Sequence, residues 1–242
     1  MSDTMQSLYR TTVAILAGGL GSRLHSVVTD RPKVLANILG RPFLTFLLDQ
    51  LASAGARVVV LCTGHMADTI HGELGDSYKS LQLVYSRENV PLGTGGALRL
   101  ALPYLNSDPV LVMNGDSFIN VDINAYMDWF YKKRCPASVL LASVPDTNRY
   151  GKVIVDADDL LLAFEEKCRD SGPGWINAGI YIVQKSLITS IPPGKPFSLE
   201  REFFPKLVDH GLYGYCFHGE FIDIGTPETY ALAEEFFNDR SF

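Results

Sequence analysis

The four cysteines, Cys62, Cys135, Cys168 and Cys216, include no C-x-x-C pair. Their scatter gives no support to a zinc cluster or a redox pair, and free thiols are the expectation, with Cys62 a small core residue in the run VVVLC. No run of about 18 uncharged apolar residues exists, so no membrane span is expected. The opening residues, MSDTMQSLYR, lack a secretory apolar core, which points to a cytosolic protein. Positive charge is in deficit: 21 Lys and Arg face 27 Asp and Glu, for a net charge of −6. That balance argues against a nucleic-acid binder but leaves room for local cations around a small phosphorylated ligand. The five histidines fall in no catalytic or metal-binding spacing, and no Ser-His-Asp or Cys-His set is apparent. Covalent nucleophilic catalysis is therefore not expected. Repeats, low-complexity segments and Pro/Ser linkers are also missing, so the 242 residues read as one domain. A hydrophobic share of 47% against 20% charged residues is ordinary for a soluble globular chain and suffices for a full core.

What is present is organised around Val13 to Lys33, VAILAGGLGSRLHSVVTDRPK. A short apolar run leads into Gly18, Gly19 and Gly21, then Arg23, then Lys33 behind Pro32. An uninterrupted apolar run bounded by glycines suits a strand covered on both faces. Two common nucleotide motifs fail here. A dinucleotide fingerprint needs a third glycine where Leu24 stands, and a Walker A loop needs lysine directly after its last glycine. The remaining reading is a loop whose backbone N–H groups approach phosphate oxygens, with Arg23 and Lys33 as cations.

Strands and helices then alternate. Helices are expected over Pro42 to Ala54, His65 to Leu74, Thr94 to Leu102 with Thr94 as cap, and Asp122 to Lys133 with Asp122 as cap. Buried strands are expected over Arg57 to Cys62, Leu81 to Tyr85, Pro109 to Met113 and Ala137 to Val144. Four strand-loop-helix units in succession imply a parallel sheet with helices on both faces. A second glycine-rich loop, Arg87 to Gly96, lies at a strand's carboxyl end, where ligands sit in such sheets. Asp116, just past the PVLVM strand and next to Gly115, suits either a cap of the next turn, the commoner role for a lone acid there, or a metal ligand near bound phosphates.

The second half reads as short strands, VIV and LLLAF, then Trp175 to Tyr181 with an internal glycine that marks a bulge or close approach. A helix over Leu199 to His210, kinked near Pro205, is followed by a strand over Leu212 to Phe217. Asp223 is a second acid at a strand end, and a last helix runs from Pro227 to about Asn238.

Together, LAGGLGSRL, RPK, LGTGGAL, NGDS, EEK, NAGIY and FIDIGTPE resemble, in order and over nearly the whole chain, the sugar-phosphate nucleotidyltransferases. The resemblance implies a Rossmann-like, GT-A-like α/β fold: a mostly parallel central sheet flanked by helices, with a small β-rich sugar-binding insertion. It implies a nucleotide half over about 11–145 and a sugar-phosphate half over 146–242. It implies transfer of a nucleotidyl group from a nucleoside triphosphate to a sugar 1-phosphate, giving a nucleotide sugar and pyrophosphate for cell-surface polysaccharide biosynthesis. Mg²⁺ is the implied cofactor, held by Asp116 and Asp223. Arg23 and Lys33 match the family's cations on the triphosphate, and Lys167 matches the lysine that meets the sugar phosphate. Leu16, Gly18, Glu88 and Gly93 resemble the base pocket, with Ala17, Gly19, Gly21, Ser22 and Thr94 on the nucleotide. Asn114, Gly151, Glu166 and Asn177 fall on the sugar-phosphate side. The pattern departs from the family at Cys168, where a proline often follows the lysine. The added β-helix or lid domains of longer relatives are not expected here.

The physics agrees. Both reactants are anions, so repulsion must be screened before alignment helps, and no covalent nucleophile is required. An ionised Glu88 only accepts hydrogen bonds, which suits guanine's adjacent N–H donors and points to GTP. The compact form, PLGTGGAL and FIDIGTPE look most like the guanylyltransferases acting on D-glycero-α-D-manno-heptose 1-phosphate. Mannose 1-phosphate guanylyltransferases stand close behind. Thymidylyl-, uridylyl- and cytidylyltransferases share the core and stay open, as do a glycosyltransferase of similar architecture and a non-catalytic regulatory homologue. The glycosyltransferase reading lacks its usual Asp-x-Asp, since the segment is Asn114-Gly115-Asp116-Ser117. Oligomeric state is left open, a homo-oligomer included.

Overall fold

The VAIL run does form the centre of a sheet, in a computed structural model that describes residues 7–165 and 172–238. In chain order the first elements are α1 (Ser7–Arg10), β1 (Val13–Leu16), β2 (Asn37–Ile38), β3 (Arg41–Pro42), α2 (Leu44–Ser53), β4 (Val58–Thr63) and α3 (Ala67–Leu74). Next come β5 (Ser77–Tyr78), β6 (Leu81–Arg87), α4 (Gly93–Leu100), β7 (Val110–Asn114), β8 (Ser117–Ile119), α5 (Ile123–Lys133) and β9 (Ala137–Val144). The rest comprises β10 (Lys152–Val155), β11 (Leu161–Glu165), β12 (Gly174–Val183), α6 (Lys185–Thr189), a π-helical turn (Leu199–Phe203), α7 (Phe204–Leu207), β13 (Leu212–Phe217), β14 (Phe221–Asp223) and α8 (Pro227–Asn238).

The main sheet runs β11-β10-β12-β7-β1-β4-β6-β5, with β9 and β13 branching from β12. Its centre is parallel: β1 pairs β4 and β7, and β4 pairs β6, all in parallel register. Alternate residues of these strands serve opposite faces. Val13, Ile15, Val59, Leu61, Leu111 and Met113 join one core, while Ala14, Val60, Cys62, Val110 and Val112 join the other. A strand covered on both sides must be apolar at every position, hence its unbroken runs. Leucines of α2, Ile70 of α3 and Phe130 of α5 fill the first core; Leu98 of α4, Ile188 of α6 and Phe204 of α7 fill the second. Each such fully buried aliphatic or aromatic side chain contributes about 1.5–3 kcal/mol relative to exposure.

Of the strands after residue 146, β10 to β13 join the same sheet, where β12 lies antiparallel to β7, β9 and β10, while β14 pairs with β8 in a ribbon of its own. An antiparallel strand needs no crossover helix, so the strand-helix alternation of the first half ends here. Three helix starts shift, and the one expected at His65 falls at Ala67, where α3 begins. Pro42 pairs with Asn37 in the β2–β3 ribbon, so α2 begins at Leu44. The helix after the second glycine loop begins at Gly93, and Thr94 lies inside it without capping it. Asp122 does cap α5, accepting from the N–H groups of Asn124 at 2.9 Å and Ala125 at 3.1 Å. The helix near Pro205 breaks into π, α and 3₁₀ turns.

Candidate active site

The carboxyl ends of β1, β6 and β7 open on one cavity of ≈ 380 Å³. Leu16, Gly18, Gly19, Gly21, Ser22, Lys33, Glu88, Gly93, Thr94, Asn114 and Asp116 line it. Ala17 lies beneath, buried, with its N–H on the Cys62 carbonyl at 2.8 Å. Past Gly21 the chain runs through tight turns, with no helix opening directly on the glycines, and reaches the 3₁₀ turn Lys33–Leu35. Gly21 has φ +61°, and a Cβ there would stand 3.1 Å from Lys33 Cβ. Both facts require glycine, and together they let the loop fold down onto Lys33.

Glu88 stands at the far wall, 9% exposed. Its Oε2 accepts from the Leu92 N–H at 3.1 Å, and its Oε1 lies 3.1 Å from where a Gly18 Cβ would be. Burial raises the Glu88 carboxyl above the ordinary carboxylate range, against the lowering effect of the Leu92 hydrogen bond.

A second cavity of ≈ 390 Å³ adjoins the first. Asn114 and Asp116 line both. Arg23, Tyr150, Asn177, Gly179 and Asp223 are among its other walls. The two cations of the glycine loop thus part company: Lys33 faces the first cavity and the exposed Arg23 faces the second. Gly151 is not on either wall, although its neighbour Tyr150 is. Glu166, Lys167 and Cys168 lie outside the described residues.

Asp116 and Asp223 come from distant parts of the chain and are joined by backbone. β14 pairs antiparallel with β8, setting Asp223 opposite Ser117, and the Ile224 N–H donates to the Asp116 carbonyl at 2.9 Å. Each acid has its own partner. Lys33 Nζ sits 2.6 Å from Asp116 Oδ2. Asp223 Oδ2 accepts from the Tyr150 hydroxyl at 2.5 Å, and its Oδ1 accepts from the Gly225 N–H at 2.8 Å. Burial and then the Asp223 hydrogen bond push the Tyr150 phenol up, so it stays a donor. Among the described residues no group of three or more His, Cys, Asp or Glu side chains could hold a metal. Two carboxylates side by side nevertheless form a hard-oxygen donor set suited to an ion that completes its shell with phosphate oxygens and water.

The bulge expected in β12 is real. Its register with β9 slips between Asn177 and Tyr181, and Gly179 takes φ +77°. A Cβ at Gly179 would stand 2.6 Å from Ser117 Oγ, so only glycine lets β12 pass the floor of the second cavity. The described thiols are free, and burial pushes Cys62 up to about 12 and Cys135 and Cys216 to about 11, which leaves them inert. Tyr150 belongs to the Arg149-Tyr150-Gly151-Lys152 run, but nothing in its spacing announces a partner on β14.

A family model described as "Nucleotidyl transferase" matches residues 12–240. The chain is 36% identical over 226 residues to a mannose-1-phosphate guanylyltransferase of Mycobacterium tuberculosis, covering 92% of this chain and 63% of that protein. It is 35% identical over 222 residues to a D-glycero-alpha-D-manno-heptose 1-phosphate guanylyltransferase of Aneurinibacillus thermoaerophilus, covering 91% of this chain and 96% of that one. The crystal structure of HddC from Yersinia pseudotuberculosis superimposes with a TM-score of 0.84 at 36% identity, over 94% of this chain and 99% of the other. The same protein complexed with GMP-PN gives a TM-score of 0.83. A parallel sheet that opens two adjoining cavities at its carboxyl edge, and a family match running from β1 to past the end of α8, have one reading: the chain belongs to the nucleotidyl transferase family.

Proposed function

We propose that the protein transfers a guanylyl group from GTP to a sugar 1-phosphate, D-glycero-α-D-manno-heptose 1-phosphate or mannose 1-phosphate, releasing pyrophosphate. The observation that carries this reading is the pair of cavities meeting at Asn114 and Asp116, with Asp223 delivered to the meeting point by β14. One cavity takes the nucleotide and the other the sugar phosphate. A phosphate oxygen of the sugar attacks the α-phosphorus, the new P–O bond forms, and the bond from the α-phosphorus to the bridging oxygen breaks. The electron pair leaves with pyrophosphate.

Asp116 and Asp223 would hold Mg²⁺, which supplies screening of the facing phosphates and polarises the attacked group. Lys33, on the wall of the first cavity beside Asp116, can pass from that acid to the departing pyrophosphate, where negative charge develops. Arg23, expected on the triphosphate, lines the second cavity with Asn177, and from there the two would orient the sugar phosphate for attack. The expected setting is the cytosol, and among the described residues no helix is long and apolar enough to cross a membrane.

Pyrophosphate release on mixing the protein with GTP, Mg²⁺ and each of the two sugar phosphates tests the reading. Release above background with either sugar supports it; none with either overturns it. ATP, UTP, CTP and dTTP in place of GTP check the base.

Two substitutions refine the assignment. Glu88→Gln keeps the shape but halves the acceptors facing guanine, so GTP preference over the other triphosphates should fall by about 10-fold. Acceptance needs the ionised form, and burial raises the Glu88 pKa. The KM for GTP should therefore climb, as pH falls, at a higher pH than an ordinary carboxylate would cause; a profile identical in Glu88→Gln would remove Glu88 from base reading. Tyr150→Phe frees Asp223 Oδ2 from its donor and should lower kcat by about 10-fold, the scale of losing a group that orients a metal ligand. Unchanged kcat and unchanged half-saturation by Mg²⁺ would make the contact merely structural.

A further inference from the structure

Glu200 lies on neither cavity wall, yet it is hydrogen-bonded to Thr94 on the first and, through the buried Tyr181, is linked to Asn177 and Asn114 on the second. It sits on the π-helical turn, a form that recurs at functional sites. Its Oε2 accepts from Thr94 Oγ1 at 2.7 Å and from Ser198 Oγ at 3.0 Å. Its Oε1 accepts from the Tyr181 hydroxyl at 3.4 Å. Thr94 lines the nucleotide cavity. The same segment grips the start of α4 by backbone: Gly95 and Gly96 N–H donate to the Phe197 carbonyl at 2.8 and 3.1 Å, and Leu199 N–H donates to Thr94 Oγ1 at 2.8 Å.

Tyr181 is fully buried, so bulk water does not reach its hydroxyl. Its oxygen accepts from Asn177 Nδ2 at 2.8 Å and from Asn114 Nδ2 at 3.4 Å. A phenol has one proton to give and two lone pairs to receive with, and all three are used. Because the proton goes to Glu200, both asparagines must turn their amino groups toward Tyr181. Asn177 Oδ1 then accepts from the Gly179 N–H at 2.8 Å. Asn114 Oδ1 is buried and, among the described residues, has no partner, on a residue that lines both cavities.

We propose that Glu200 is a positioning residue that couples the two half-sites, holding the nucleotide loop through Thr94 and setting the amide orientation of Asn177 and Asn114 through Tyr181. This rests on the guanylyl-transfer reading of the two cavities. The negative charge is essential to the arrangement, because only an acceptor-only group forces Tyr181 to donate. A glutamine amide could instead donate to Tyr181 and reverse the polarity of the whole chain of bonds.

The test is steady-state kinetics on the full chain with GTP, Mg²⁺ and whichever of heptose 1-phosphate or mannose 1-phosphate is turned over. Glu200→Gln should raise the KM for both substrates by about 10-fold each, on the scale of losing a charge-assisted hydrogen bond, with the fold retained and Tm lowered by no more than a few degrees. Thr94→Val should raise the KM for GTP alone, and Tyr181→Phe the KM for the sugar phosphate alone. In a Tyr181→Phe background the route to the asparagines is cut. Glu200→Gln should then leave the sugar-phosphate KM unmoved while still raising the KM for GTP. The proposal is overturned if Glu200→Gln moves only one KM or neither, or if its effect on the sugar-phosphate KM persists in full without the Tyr181 hydroxyl. Should Glu200→Gln not fold, the two single-substrate effects decide: absence of either overturns the coupling. If the unmodified protein releases no pyrophosphate, the guanylyl-transfer reading itself fails, which no result on the variants can mimic.

Discussion

Asp223→Asn is expected to cut kcat for pyrophosphate release by at least ~10³-fold, with the fold and GTP-analogue binding retained. The carboxylate has two jobs in the folded chain. It accepts from Tyr150 and Gly225, and it shares the meeting point of the cavities with Asp116. Asparagine keeps one acceptor oxygen and loses the charge, so it can satisfy one of those donors but is a poor ligand for the Mg²⁺ that would screen the two phosphate groups. The local hydrogen-bond loss costs about 1–3 kcal/mol of stability and is read by thermal unfolding. The catalytic loss is far larger and is read by stopped assays at saturating substrate. Asp116→Asn should behave alike in turnover. Activity of Asp223→Asn within tenfold of the unmodified protein would sink the metal assignment.

Lys33→Ala is expected to lower kcat/KM for GTP by about 10²-fold or more, the scale of losing one donor to developing charge. Its second effect has the opposite sign. Lys33 is 11% exposed and 2.6 Å from Asp116, so it neutralises that acid in the free protein. Removing it leaves Asp116 unpaired and a better cation ligand. The Mg²⁺ concentration for half-activation should therefore fall while turnover falls. A lysine that merely braced the loop would slow the reaction without improving cation affinity. Equal kcat/KM in the variant would return Lys33 to a structural role.

The first half of the site was legible because its signals are local. Gly21 and Lys33 stand where a strand must end and a loop must turn back, and Asp116 follows an apolar run that could only be a covered strand. Asp223 was legible for the same reason, as an acid closing a short strand. What escaped was set by tertiary contact. Thr94 has the composition of a helix cap, but its hydroxyl is claimed by Glu200, more than a hundred positions away by sequence. Tyr181 reads as one more apolar residue in a buried strand, and only the slip of β12 against β9 turns its hydroxyl into a three-way junction. Glu200 looks like surface charge at the start of a helix; nothing in SLEREF marks its partners. The antiparallel entry of β12 beside β7 was likewise invisible, since a buried strand shows the same apolar run in either direction.

The β8–β14 ribbon has a consequence for synthesis of the chain. Every residue lining the first cavity lies between Leu16 and Asp116, whereas Asp223 arrives on the last strand. At ~5–20 residues per second, the ribosome delivers the second acid some seconds after the first. Throughout that interval the growing chain holds every residue of the first cavity and lacks Asp223, which the proposed reaction needs. On the proposed reading, late closure of this two-stranded ribbon is thus the event that would arm the protein, and GTP would be safe from it until then.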